Sequence, residues 1–248
     1  MHADAFLADA ERLPVADLDA LTGGTGLVVV APHPDDESLG CGGVMAAARA
    51  RGQAVAVVIV SDGCGSHTHS ALYPPEKLRA LREQETLAAV AALGVPAEAV
   101  TFLRLPDAGV PSAGPVAEAA AARIAEIARR SGAGAVCVTW GHDPHCDHQA
   151  AAAIVRLARP HLGPIASFAY PVWGWTLPEG TEVGDPPTGF RIDVGAHRAA
   201  KAEAIAAHRS QTTDLISDDP TGFRLEPAMI ARFTGTHEIF IRMDASAP

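Results

Sequence analysis

Two short segments of the chain concentrate the side chains that could do chemistry. The first, residues 32–38, reads Pro-His-Pro-Asp-Asp-Glu-Ser, and the second, residues 142–148, reads His-Asp-Pro-His-Cys-Asp-His. Each follows a short apolar run, residues 27–31 and 135–139, of the kind that forms a buried parallel strand. Because parallel strands place their carboxyl ends along one edge of a sheet, the sequence predicts that the two segments meet there.

Together the two segments offer a ligand set that is typical of a catalytic zinc ion. His33 and Asp36 come from the first segment, and His148 closes the second. Two imidazoles and one carboxylate leave a coordination position open for water. Ligands from two distant loops favour an active site assembled by the fold over a local zinc finger. We therefore predict Zn²⁺, or another divalent metal ion, on His33, Asp36 and His148.

The residues beside these ligands are candidates for proton transfer. A metal ion lowers the pKa of a bound water toward about 7, and Asp35, next to the ligand Asp36, could take the proton. His145 could face the developing oxyanion or protonate the leaving group, and Asp147 could orient and charge His145. This set fits hydrolysis of an amide or an ester. The structural alternative for the first segment is a turn followed by helix-capping acids, which Pro, Asp and Ser also suit.

Alternating strands and helices are predicted to position these residues. The apolar runs and the helical periodicities predict strands at residues 27–31, 54–61, 100–103, 135–139, 165–170, 190–194 and 237–243. They predict helices at residues 38–51, 76–93, 115–130, 147–159, 197–208 and 226–233, with Ser38 capping the first and Pro160 following the fourth. This order indicates βαβ units and a mostly parallel sheet flanked by helices.

Composition excludes several classes of function and location. The 248-residue chain has a formal net charge of −10, which argues against nucleic-acid and anionic-membrane partners because both need a basic face. No apolar run approaches the roughly 20 residues of a membrane helix, and residues 1–14 do not resemble a signal peptide. The four cysteines form no CxxC pair, which predicts reduced thiols in a cytoplasmic protein. No phosphate-loop motif indicates a nucleotide, and the oligomeric state stays open.

Five motifs resemble those of the PIG-L/LmbE-like family of metal-dependent N-deacetylases, which includes enzymes that deacetylate N-acetylglucosamine conjugates. Residues 32–37 look like its (A/P)HPDDE signature, and residues 145–148 look like its HxDH. The supporting matches are an RxxE…LG helix at residues 82–94, an LxD loop at 105–107 and a KxxAxxxHxSQ segment at 201–211. The resemblance covers roughly residues 27–215.

The resemblance implies a fold and a set of roles. It implies a single Rossmann-like, lactate-dehydrogenase-type α/β domain without its nucleotide, with residues 1–25 as an N-terminal arm and 216–248 as a C-terminal extension around the motif-bearing core, 27–215. It implies the same three metal ligands, Asp35 as general base and His145 as the oxyanion and proton-transfer partner.

The resemblance also implies that Arg82 and Asp107 contact the hydroxyls of a substrate, with His208 and Gln211 near the pocket. Two plainer interpretations stay open at this point. Arg82 could instead form a surface ion pair with Glu85 on the same helix, and Asp107 could simply shape a turn.

The predicted function is zinc-dependent removal of an acetyl group from an N-acetylated small molecule, an amino sugar or its glycoside. One alternative keeps the metal and changes the bond to a non-sugar or longer-chain acyl amide, whose chain Trp173, Trp175 and Phe168 could surround. Another is a non-catalytic module that binds sugar. Residues 63–75 and 173–187 match no family pattern, and we predict that they form lids that decide the substrate.

Overall fold

The computed structural model describes residues 1–243, so the last five positions of the predicted extension lie outside the described residues. One sheet contains the strands β1 (Val15–Ala16), β2 (Gly26–Ala31), β3 (Ala54–Ser61), β4 (Val100–Leu105), β5 (Ala135–Thr139), β6 (Ala166–Tyr170), β7 (Gly189–Asp193) and β8 (His237–Arg242). The α-helices are α1 (Ala3–Ala10), α2 (Leu18–Thr22), α3 (Asp36–Ala50), α4 (Pro75–Ala92), α5 (Gly114–Ser131), α6 (Cys146–Leu162), α7 (Arg198–Ala207), α8 (Arg209–Thr212) and α9 (Pro227–Phe233).

The strands follow the order β1-β7-β8-β6-β5-β2-β3-β4. Strand β8 runs antiparallel to both of its neighbours, and the other pairings are parallel. The prediction of a mostly parallel sheet flanked by helices is thus confirmed, and the antiparallel β8 is an addition to it. Strands β2 and β5, which precede the two polar segments, are direct neighbours, with Val30 opposite Val138.

The central strands are apolar throughout because helices cover both faces of the sheet. Alternate residues of β2 enter different cores: Val29 packs in the core that includes side chains of α3, α4 and α7, and Val28 in the core that includes side chains of α5 and α6. Helix α3 is buried along most of its length. Its small residues permit this, since a β-carbon at Gly40 would overlap the ring of Tyr170.

Parts of the predicted N-terminal arm and C-terminal extension join the sheet. In residues 1–25, β1 pairs with β7 at the edge of the sheet and Phe6 of α1 stacks on Trp140 at 4.8 Å between ring centroids. The predicted C-terminal extension supplies β8, which lies inside the sheet between β6 and β7. Within residues 1–243, none of the helices has the length and apolar character that crossing a membrane requires.

Two predicted helix boundaries were wrong. Helix α3 begins at Asp36 with Asp35 as its N-cap, so Ser38 lies inside the first turn and does not cap it. Helix α6 continues through Pro160 to Leu162. Leu162 is 3% exposed and packs into the core with the rest of α6, and this burial favours continuation of the helix for two residues beyond the proline.

Candidate active site

The carboxyl ends of β2 and β5 bring the two polar segments together, as the sequence predicts. The ring of His33, after β2, lies 4.6 Å from that of His145 and 5.4 Å from that of His148, measured between centroids. Helices α3 and α6 begin in these segments, so their first turns carry the remaining polar side chains. The site therefore forms between two adjacent strands whose helices cover opposite faces of the sheet.

Two of these imidazoles face one carboxylate oxygen. Asp36 Oδ2 lies 3.3 Å from His33 Nδ1 and 3.3 Å from His148 Nε2, and all three residues are buried. His148 Nε2 is a buried atom without a hydrogen-bond partner among residues 1–243. The other nitrogen of this ring, Nδ1, faces Asp143 Oδ2 at 3.0 Å, so a proton on Nδ1 leaves the Nε2 lone pair free. Such a donor set fits a divalent metal ion.

The charges of this cluster are strongly coupled. Burial by itself lowers the pKa of His148, but the carboxylates of Asp36 and Asp143 raise it to about 9. Burial raises the pKa of Asp36, yet His148 and His33 hold it well below its usual range. The negative carboxylate of Asp36 favours a positive charge on each of the two imidazoles beside it. A bound cation would supply that charge in place of the protons on the rings.

Asp35 occupies a strained turn between the strand and the helix. Its φ of 128° lies in a region that side-chain-bearing residues rarely adopt, and such a conformation costs about 1–3 kcal/mol. Burial raises the pKa of Asp35 to about 7, against the lowering effect of Arg82 and with a further rise from the charge of Asp36. A cavity lies beside the two polar segments, and both Asp35 and Asp36 line it. Two adjacent carboxylates therefore reach the same cavity from different backbone conformations.

His145 is the N-cap of α6. Its Nδ1 accepts a hydrogen bond from the backbone N–H of Asp147 at 3.2 Å, which assigns the ring proton to Nε2. Burial and the neighbouring His33 lower the pKa of His145. The neutral ring therefore has one N–H that it can donate, and it lines the cavity.

Asp147 does not have the predicted partner. We expected its carboxylate to orient His145, but Oδ2 lies 3.1 Å from His33 Nε2 and accepts the backbone N–H of Ala108 at 2.7 Å. Oδ1 accepts the backbone N–H of Val110 at 3.1 Å. Asp147 therefore orients His33, and a proton on Nε2 of that ring directs the Nδ1 lone pair toward Asp36.

Arg82 and Asp107 both line the same cavity. Arg82 is 3% exposed and donates to the carbonyl oxygens of Pro34 at 2.6 Å and Gly63 at 2.9 Å, with Asp35 Oδ2 at 3.3 Å. The alternative of a surface ion pair with Glu85 is wrong, because Glu85 is buried and accepts two hydrogen bonds from Ser210.

Asp107 does more than shape a turn. Its Oδ2 accepts the backbone N–H of Gly65 at 2.7 Å, and its Oδ1 lies 3.2 Å from His33 Nε2. His33 Nε2 thus lies between two carboxylates, those of Asp107 and Asp147, and both raise the pKa of His33 against the lowering effect of burial.

The sequence model of the PIG-L family, described as GlcNAc-PI de-N-acetylase, matches residues 28–159, more than half of the chain. The chain belongs to the PIG-L family. The matched region contains both polar segments, Arg82 and Asp107, and the predicted resemblance is confirmed. No curated protein sequence matches the chain.

Several solved structures share the fold. The N,N'-diacetylchitobiose deacetylase from Pyrococcus horikoshii is 22% identical with a TM-score of 0.64, over 89% of this chain and 84% of that one. The zinc-inhibited form of teicoplanin deacetylase Orf2 is 19% identical with a TM-score of 0.61, over 90% and 100%. GalB, the 4-carboxy-2-hydroxymuconate hydratase from Pseudomonas putida KT2440, is 22% identical with a TM-score of 0.57, over 74% and 78%. Since the fold also occurs in a hydratase, the fold alone does not determine the reaction, which depends on the residues of the site.

The PIG-L motifs provide part of the cavity lining, and segments outside these motifs provide the rest. The cavity has a volume of about 180 Å³, and Ser66, Trp173 and Phe223 line its walls. The first two come from the predicted lids, residues 63–75 and 173–187. Phe223 comes from the predicted C-terminal extension, and its ring meets that of Trp173 edge to face at 5.6 Å between centroids.

The two other aromatic residues proposed for an acyl pocket lie elsewhere. Phe168 is buried in the core against Phe190, and Trp175 packs edge to face on Phe233. Neither lines the cavity.

Sequence reasoning missed Asp143 and Phe223. Asp143 Oδ2 accepts from His148 Nδ1 and from the backbone N–H groups of Val172 and Trp173, all at 3.0–3.1 Å. It therefore positions both the predicted metal ligand His148 and the cavity wall at Trp173. An acid within the same short segment as a predicted histidine ligand is a signal that could have indicated it. Phe223 lies in a segment with no recognisable motif, and only the fold reveals its place.

Proposed function

We propose that this protein is a divalent-metal-dependent N-deacetylase that hydrolyses the acetamide of an N-acetylated amino sugar or its glycoside. The observation that carries the proposal is that Asp35 and His145 line one cavity with His33 and Asp36, and that His148 Nε2 lies 3.3 Å from Asp36 Oδ2. Membership of the PIG-L family supports it, as do the names of the two deacetylases that share the fold.

The residues divide the chemistry as follows. His33, Asp36 and His148 would hold the ion, zinc or another divalent metal, which when bound supplies Lewis acidity to a water molecule and to the amide carbonyl. Asp35 accepts the proton of the attacking water as the new C–O bond forms. The Nε2–H of His145 donates to the carbonyl oxygen as it gains negative charge. When the C–N bond breaks, Asp35 returns the proton to the leaving nitrogen, and acetate and a free amine result.

Two residues are assigned to the rest of the substrate. Asp107 presents its carboxylate to the cavity and would accept a hydrogen bond from a sugar hydroxyl. Arg82 also lines the cavity and would place its positive charge beside the substrate, while its two terminal nitrogens donate to Gly63 O and Pro34 O. Asp147 is assigned to the positioning of His33.

We also propose a fold type, a domain organisation and a cellular location for the protein. Counted from β2, the parallel strands β4-β3-β2-β5-β6 follow the order 3-2-1-4-5, which supports a Rossmann-like, lactate-dehydrogenase-type fold with the site at its switch point. Because β1 and β8 both join this sheet, we propose one domain for the whole chain. Four unpaired cysteines support a cytoplasmic location.

The aromatic corner of Trp173 and Phe223 favours a second candidate, hydrolysis of a longer-chain acyl amide. Phe223 is 38% exposed, and a partly exposed phenylalanine ring at the mouth of a cavity offers apolar surface to a ligand. The same corner could hold the apolar face of a sugar or of the group attached to it.

Acid release from a matched substrate panel tests the proposal. The protein is loaded in turn with Zn²⁺, Mn²⁺, Co²⁺ and Ni²⁺ and given N-acetyl, N-butyryl and N-octanoyl glucosamine, with N-acetylglucosamine glycosides. We expect acetate and free amine in equal amounts, with the acetyl substrates fastest. Faster release of the longer acids would favour the second candidate. If no acid is released with any metal while sugar still binds, the protein is a sugar-binding module.

Truncation of Phe223 is expected to weaken the binding of extended substrates. We predict that Phe223→Ala raises KM for an aryl glycoside by about tenfold and leaves KM for the free sugar within about twofold, since the partly exposed ring would contact the aryl group and not the sugar. Steady-state kinetics with the two substrates measures this. Val116→Ala, which removes an exposed side chain on α5, is the matched control. An equal rise in KM for both substrates would place Phe223 against the sugar itself.

A further inference from the structure

Two buried titratable side chains, Glu37 and His208, have no part in the chemistry described so far. Both are fully buried, and Glu37 Oε1 lies 3.0 Å from His208 Nε2. The hydroxyl of Ser38 donates to the same oxygen at 2.7 Å. Burial of a carboxylate is costly unless it is paired and hydrogen-bonded, and His208 and Ser38 provide these contacts for Glu37.

The second oxygen of Glu37 contacts the strained turn. Glu37 Oε2 accepts the backbone N–H of Asp35 at 3.0 Å, and Asp35 is the residue whose φ is 128°. Such a conformation persists only where the surroundings hold it in place. The carboxylate of Glu37 is fixed on one side by His208 and Ser38, and on the other it holds the peptide of Asp35.

His208 is itself firmly placed. It lies at the junction of α7 and α8, where its backbone N–H donates to Ile205 O and its carbonyl oxygen accepts from Gln211. Ser210, two residues further along the chain, donates two hydrogen bonds to Glu85 of α4, at 2.7 and 2.6 Å. The imidazole therefore reaches Glu37 from an anchored backbone.

We propose that Glu37, braced by His208, is a positioning residue that holds Asp35 in its strained turn and thereby places the general base in the cavity. The proposal rests on the function proposed for Asp35. Glu37 touches no reacting atom, and it acts through the backbone of Asp35. It also explains why a charged pair is kept in the interior beside the first turn of α3.

The test compares Glu37→Ala, Glu37→Gln and a matched control. For Glu37→Ala we expect kcat to fall by about 10²-fold, the loss that a misplacement of roughly 1 Å causes, with KM within threefold and metal content unchanged. Glu37→Gln keeps an oxygen for the N–H of Asp35 and should recover kcat to within about tenfold of the wild type. A crystal structure of Glu37→Ala, measured without substrate, should show Asp35 relaxed to a negative φ.

Glu238→Gln is the control, because Glu238 makes the same kind of contact away from the cavity. Its carboxylate is buried, accepts the backbone N–H groups of Gly43 and Val44 in the same helix α3, and pairs with the buried Lys201 at 2.6 Å. We expect Glu238→Gln to lower Tm and to leave kcat per folded, metal-loaded molecule unchanged.

Three outcomes overturn the proposal: an unchanged φ at Asp35, an unchanged kcat in Glu37→Ala, or an equal loss of kcat in Glu238→Gln. His208→Gln, which removes the imidazole from Glu37, provides the same φ and kcat measurements where Glu37→Ala does not fold. If the wild type releases no acetate, the proposed function fails, and the φ of Asp35 in these variants still decides whether Glu37 holds the turn.

Discussion

Replacing Asp35 with asparagine is expected to give a folded, metal-loaded protein that releases acetate at least 10³-fold more slowly, near the upper end of about 10²–10⁴ for loss of general acid–base catalysis. Asparagine has the size and shape of aspartate, and the backbone N–H at this position can still donate to Glu37, so we expect the turn to survive. The amide cannot take a proton from water. Arg82 keeps its contacts with Pro34 O and Gly63 O, so the cavity should retain its shape. Acetate release under saturating substrate, with metal content by elemental analysis, measures the effect.

Asp193→Asn is the matched control for this change. It makes the same chemical substitution at the end of β7, where the carboxylate accepts only from the backbone N–H of Gly195 among the contacts of the described residues. We expect wild-type kinetics. If Asp35→Asn keeps kcat within tenfold of the wild type with metal bound, the base is another residue, and the positioning role of Glu37 loses its basis.

The parts of the fold that the sequence predicts well are those that local patterns determine. Strands β3 and β5 are short runs of β-branched and small apolar residues, and their predicted ranges match the structure. Helix α4 begins and ends within one residue of its prediction because an amphipathic pattern and Gly94 define it. The two polar segments lie where parallel strands end, so the sequence places them at one edge of the sheet, and the adjacency of β2 and β5 brings them together.

Local patterns do not predict contacts between positions that lie far apart in the sequence. Strand β8 pairs antiparallel between β6 and β7, a position that depends on how the chain returns from α9 and that no local signal specifies. Phe223 reaches the cavity because its backbone N–H donates to Ser66 O at 2.7 Å, and Asp218 and Asp219 bind the backbone of residues 69–72. Each of these contacts joins positions far apart in sequence, so it becomes visible only in the fold.

The partner of Asp147 shows how closeness in sequence misleads at a helix start. His145 and Asp147 are two positions apart, and at 3.6 residues per turn their side chains point roughly 200° apart around α6. The carboxylate therefore turns away from its neighbour toward His33, which comes from the adjacent strand. Adjacent residues of a motif can serve different partners, and the assignment of Asp35 and Asp36 to different roles follows the same logic.

The second large effect is expected at His148. His148→Ala removes the ring whose Nε2 lies 3.3 Å from Asp36 Oδ2, and we predict that metal affinity falls by more than about 10²-fold and that acetate release is lost with it. Asp143→Asn, which weakens the hold on Nδ1 of that ring, should lower metal affinity by about 10–100-fold. Calorimetric titration of the metal-free protein with Zn²⁺ and Co²⁺ measures both changes without reference to activity.

His142→Ala is the control for this series, because His142 lies in the same polar segment and does not line the cavity. It should bind metal as the wild type does. A different result would redirect the assignment, since two groups place one donor atom per residue within 4.8 Å of one another: the first is His33, His145 and His148, and the second is His33, Asp107, His145 and Asp147. If His148→Ala binds metal with unchanged affinity while Asp107→Asn does not, that second grouping holds the ion. His145 would then be a ligand, and its role at the carbonyl oxygen would pass to another donor.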